Sequence, residues 1–132
     1  MKVAISNVHL DLGAGRRGTD MGPSAIHVAG LIPKIKKIGH TIDSIVSIGS
    51  PAYEALDIEN TQSRFISPIF KTCEILHNRV YQNVVQGLFP LVLGGDHSQA
   101  IGTVAILLIN PARNHEIAVS CGSQSAMSGG CA

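Results

Sequence analysis

Phe89-Pro90-Leu91-Val92-Leu93-Gly94-Gly95-Asp96-His97-Ser98 is an apolar run that stops at two glycines and then presents an acid, an imidazole and a hydroxyl in succession. An apolar stretch of this length bounded by glycine suits a strand of a parallel sheet covered on both faces. In open α/β sheets the turn at a strand's carboxyl end is where sites are built. His97 is therefore the first candidate for chemistry. A second reading stands beside it: Asp96 and Ser98 cap the following helix, and His97 is a satisfied histidine next to them.

Working outward, residues 2–8 read as a first strand, rich in β-branched and small apolar residues. A polar, glycine-rich loop follows to about Gly22. Pro23 suits the first position of a helix, and Ile26, Leu31, Ile35 and Ile38 keep one apolar face. Pro33 interrupts it, since a proline inside a helix removes a hydrogen bond and clashes with the preceding turn. The expectation is a short helix to about Gly30 and a second from Pro33 to Ile38. Residues 41–48 offer a second strand. From 61 to 86 Phe65, Ile69, Cys73, Leu76, Val80 and Val84 recur three or four apart, which marks an amphipathic helix stopped by Gly87. The strand at 89–93 and a helix over about 99–109 complete a third unit, and His115 and Glu116 fall at the start of a possible further strand. Alternation of strand and helix predicts an α/β fold with a mainly parallel sheet and right-handed crossovers. His27 and His40 read as surface or cap residues, and His77 as partly buried.

The 132 residues, 45% of them hydrophobic, fit one domain. Ten basic and nine acidic side chains leave a formal charge of +1 with no basic block, so the electrostatic footprint of nucleic-acid binding is missing. No window is long and apolar enough to cross a bilayer, so no membrane association is expected. Cys73, Cys121 and Cys131 form neither an even framework nor a Cys-x-x-Cys pair. That fits a reducing, cytoplasmic setting. Cys73 reads as core, and the other two as incidental thiols.

Gly13-Ala14-Gly15-Arg16-Arg17-Gly18 matches the Gly-x-Gly-x-x-Gly fingerprint of dinucleotide sites. Such a turn must open directly into a helix whose first amides hold the pyrophosphate. Here the helix begins only near Pro23, and the acid expected at the end of the second strand is absent, so a dinucleotide-binding protein is a remote alternative. Read at full length, the segment from Asp11 through Gly18-Thr19-Asp20-Met21-Gly22-Pro23-Ser24-Ala25-Ile26 resembles the amino-terminal signature of the arginases. The 89–98 run followed by Gln99-Ala100-Ile101-Gly102-Thr103 is similar to their first metal motif. The resemblance covers about residues 3–105.

That resemblance implies a three-layer α/β/α enzyme hydrolysing L-arginine to ornithine and urea with two manganese ions bridged by hydroxide. Hard divalent ions prefer carboxylate and imidazole, and two held close together generate a nucleophile near neutral pH. Within this chain only His97 matches a family metal ligand. No catalytic residue is assigned, and Asp96 and Ser98 are at most groups that orient the imidazole. Arg16-Arg17 faces a cationic substrate, so it is expected to pin the long loop rather than clamp an anion.

Downstream, the family pattern continues with an Asp-Ala-His-x-Asp motif and later an Asp-x-Asp pair, and neither occurs here. The first should fall near Ser120-Cys121-Gly122-Ser123-Gln124, which has no carboxylate and no histidine. Likeness fades after Ala105, as truncation or a shifted reading frame would produce. Residues 1–105 are thus expected to form the arginase-like portion, incomplete relative to the full fold, and 106–132 a divergent, poorly ordered tail. With one ligand of six, the chain is expected to be inactive alone. The contrasting reading is a non-catalytic assembly module that forms homo-oligomers or pairs with a full-length arginase subunit through its exposed sheet edge.

Overall fold

The computed structural model describes residues 1–14, 17–56, 65–109 and 118–121, with the side chains of Tyr53, 105–109 and 118–121 excepted. Four parallel strands, β1 (Lys2–His9), β2 (Thr41–Gly49), β3 (Phe89–Gly94) and β4 (Ala118–Cys121), form one sheet in the order β2-β1-β3-β4. Helices α1 (Gly22–Val28), α2 (Leu31–Lys37), α3 (Ile66–Val85) and α4 (Ala100–Ile109) connect them. The fold is the parallel α/β arrangement that the alternating pattern predicts.

Side chains alternate across a strand, so β1 and β3 each feed two cores. Val8 and Val92 join Leu10, Leu12, Ile48, Leu76, Val80 and Val84 beneath α3. Val3, Ile5 and Leu93 join Ile35, with Ile26 and Leu31 packed against them, beneath α1 and α2. Both faces of β3 are therefore covered, which is why its sequence is a continuous apolar run. Leu76 is fully buried at the centre of the α3 face. Leu76→Ala is expected to cost about 2–5 kcal/mol, read as a lower urea midpoint with an unchanged slope.

Two boundaries differ from expectation. The first helix breaks near Gly30 as expected, but the second starts at Leu31 rather than Pro33, because Gly30, with a φ of 89°, takes the left-handed conformation that glycine favours. Gly30 starts α2 at Leu31, so Pro33 sits in the first turn, where its missing N–H costs nothing. The long helix begins at Ile66, and residues 61–64 lie outside the described ones. α4 runs through residue 105 to Ile109, close to the helix expected over about 99–109. Ser120 and Cys121 belong to β4 opposite Leu93 and Gly94. His115, Glu116 and residues 122–132 lie outside the described residues. No described helix is long and apolar enough to cross a membrane.

Candidate metal-site turn

β3 ends at Gly94, and the chain turns through Gly95 and Asp96 into one 3-10 turn, His97–Gln99, which runs directly into α4. This places His97, exposed, at the carboxyl end of a central strand. Asp96 behaves as the capping reading requires. Its extended backbone and buried carboxylate form the N-cap, with the Ser98 N–H donating to Oδ1 at 2.8 Å and the Ser98 hydroxyl donating to the same oxygen. The other oxygen does something no local pattern announces. Asp96 Oδ2 accepts the Gly13 N–H at 2.9 Å, across 83 residues of sequence. One buried acid thus holds both the turn bearing His97 and the loop that follows β1.

Gly95 packs against that loop from the other side. A Cβ built there would stand 2.2 Å from the Leu10 carbonyl oxygen and 2.6 Å from that of Thr19. His9 leaves the end of β1 and donates from Nδ1 to the Asp20 carbonyl at 2.9 Å. The loop is clamped further out by charge: Asp11 accepts Arg17 Nε at 3.1 Å and the Gly18 N–H at 3.3 Å, and Arg17 reaches Glu54 at 2.8 Å. The hydrogen bond to Arg17 holds the Glu54 carboxyl below its usual range, and the same contact with Glu54, then that with Asp11, raises the guanidinium. Arg17 therefore pins the loop, and Arg16 lies outside the described residues. Gly18, the last glycine of the fingerprint, leads into a 3-10 turn, Thr19–Met21, before the seven-residue α1. A pyrophosphate-binding turn would open directly into its helix.

Other histidines serve structure. His27 is half-buried and donates from Nε2 to Asn7 Oδ1 at 3.0 Å, tying α1 to β1 rather than standing free on the surface. His40 accepts from the Met1 amino group at 3.3 Å. Gln99 is buried with neither amide atom hydrogen-bonded, its amide lying over Gly94. Sequence reading gives no sign of that, because glutamine is ordinarily exposed.

Cys73 on α3 is buried, and its thiol donates to the Ser98 carbonyl at 3.5 Å, so the helix supports the turn from behind. Burial, the largest cause, pushes its pKa up, with the nearby Asp96 charge adding to the effect. The folded protein keeps this proton where the unfolded chain gives it up, so stability is fully present below about pH 8.5 and declines as pH rises beyond it. Cys73→Ala is expected to flatten that decline. Peptide mapping after iodoacetamide should find Cys73 alkylated slowly in buffer and rapidly in urea.

Among the described residues, no group of three or more His, Cys, Asp or Glu side chains could hold a metal ion. The described residues do not fit a two-metal centre. What the turn offers is a single imidazole on a rigid mount, at the edge where parallel α/β enzymes carry out their chemistry.

A parallel α/β sheet with its polar cluster at the strand ends defines the class of protein. The profile of the Arginase family matches residues 1–115, so the chain belongs to that family. It is 41% identical to the arginase of Brevibacillus brevis over 104 residues, covering 78% of this chain and 34% of that one. The native arginase structure from Bacillus caldovelox superposes with a TM-score of 0.71 at 41% identity, covering 79% of this chain and 35% of its own. Arginase from Bacillus cereus gives 0.67 at 42% identity, with 80% and 34% covered. The chain spans about a third of the length of the relatives it matches.

Proposed function

We propose that these residues carry one wall of a manganese-dependent arginase site, in which His97 supplies an imidazole to a divalent ion. Asp96 and Ser98 act on the turn rather than on the metal, fixing the backbone from which the imidazole projects. The observation that supports this most is the exposed histidine on a turn locked by a buried acid, in a chain of this family. L-Arginine is the substrate that the relatives' names imply, and the cytoplasm the compartment that fits the cysteine usage.

By themselves the 132 residues do not hydrolyse arginine. One imidazole supplies neither the ligand number nor the negative charge that a pair of divalent ions needs. Urea release from L-arginine with added manganese is expected to equal that of a His97→Ala control. Release well above that control overturns the reading. Manganese titration followed by His97 ring NMR signals tests the ligand role separately: selective paramagnetic broadening of His97 supports it, and broadening confined to other histidines counts against it.

A further inference from the structure

α3 and α4 pack against each other, but what they bury differs in kind. α3 buries Leu76, Val80 and Val84 in the apolar core beneath it. The start of α4, with the turn before it, buries Gln99, Gly102 and Thr103. None of these three is an apolar side chain. Thr103 turns its hydroxyl back on its own helix, donating to the Ala100 carbonyl at 3.0 Å. The large apolar residues of the same stretch, Ile101 and Val104, are exposed.

Gln99 is the least favourable of the buried group. It is 1% exposed, and among the described residues neither its amide nitrogen nor its amide oxygen has a hydrogen-bond partner. A polar group buried in that state costs free energy that water returns on exposure. The amide is seated on Gly94, where any Cβ would overlap it, so the closed position depends on bare backbone there. Gly102 adds a second weakness, because glycine is a poor residue for a helix interior. It is nevertheless required: a Cβ there would stand 2.6 Å from the Cys73 carbonyl oxygen.

The residues just before Gln99 are held in the opposite way. Asp96 accepts the amides of Gly13 and Ser98, which fixes the chain as far as Ser98. We infer that Gln99 is a hinge: residues 99–103 undock from α3 and bring the Gln99 amide into water, while the sheet and the turn carrying His97 stay folded. Segments that bury little apolar surface open locally at free energies well below that of global unfolding. Cys73 lies under the moving segment, its thiol donating to the Ser98 carbonyl and its sulfur accepting the Gly102 N–H. Undocking therefore uncovers the thiol. The hinge belongs to the support behind the site, and it stands whether or not His97 binds a metal.

Native-state amide exchange of the 132-residue chain tests this. The Gly102 and Thr103 amides are expected to exchange about tenfold faster than those of β1 and β3, at a rate that low urea leaves unchanged, while Ser98 stays protected. Gln99→Met keeps the length of the side chain and removes both unpaired atoms. It should slow exchange at Gly102 and Thr103, and alkylation of Cys73 by iodoacetamide in buffer, by about tenfold, with alkylation in urea unchanged. Exchange at Gly102 and Thr103 with the rate and urea dependence of β1 and β3 overturns the proposal. So does Ser98 exchanging as fast as Thr103, which would move the hinge upstream. A Gln99→Met chain that is less stable than the parent, or that leaves both rates as they were, overturns it as well, since the amide would then favour the closed state or be indifferent to it.

Discussion

Gly95→Ala is expected to abolish the folded state or lower its melting temperature by ten degrees or more. The added methyl would meet the Leu10 and Thr19 carbonyl oxygens at 2.2 and 2.6 Å and the Asp20 amide nitrogen at 2.9 Å. All three are backbone atoms, so no side-chain rotation relieves the clash, and the loop after β1 must move as a whole. Overpacking of a core costs about 1–3 kcal/mol when side chains can adjust. Here they cannot, and a domain of this size holds only about 5–15 kcal/mol in reserve. Far-ultraviolet circular dichroism on heating measures the result. A melt within two degrees of the parent protein would show that the loop is held less firmly than its packing implies.

Asp96→Ala is the second substitution with a large expected effect, about 3–4 kcal/mol. It removes the acceptor for the Gly13 amide, the Ser98 amide and the Ser98 hydroxyl at once. The three donors are only partly shielded from water, so each bond lost costs about 1 kcal/mol or slightly more rather than the full penalty of a buried orphan donor. Asp96→Asn keeps one good acceptor oxygen and should lose about half as much. Amide exchange separates this from a general weakening: the Gly13 and Ser98 amides should exchange much faster in the alanine variant, while those of β1 hold. Equal loosening throughout the sheet would mean that Asp96 is only one contributor among many.

Most of the elements are legible in the sequence because hydrophobic period is a local signal. The continuous run at 89–94 declares a doubly covered strand, and the spacing from Phe65 to Val84 declares a one-sided helix. The start of the second helix at Leu31 is harder to read, since a proline two residues inside a helix and a proline that starts one look alike until the left-handed glycine before it is seen. The site divides the same way. That His97 stands at the end of a central strand follows from the glycines and the apolar run before it. That Asp96 reaches Gly13, that Gly95 lies against Leu10, and that Gln99 is buried have no local signature. They depend on which strands become neighbours, and β1 meets β3 only after the whole of β2 and α3 has been inserted between them in the chain.

The hydrogen bond from Gly13 to Asp96 sets a schedule for synthesis. The loop after β1 is among the first segments to leave the ribosome, yet the acid that fastens it is made 83 residues later. At about 5–20 residues per second that interval is on the order of 4–17 s. The glycine-rich loop, with its paired arginines, must wait through it without its anchor. A nascent chain therefore completes its oldest loop and its site turn in a single late event, when β3 slides in beside β1.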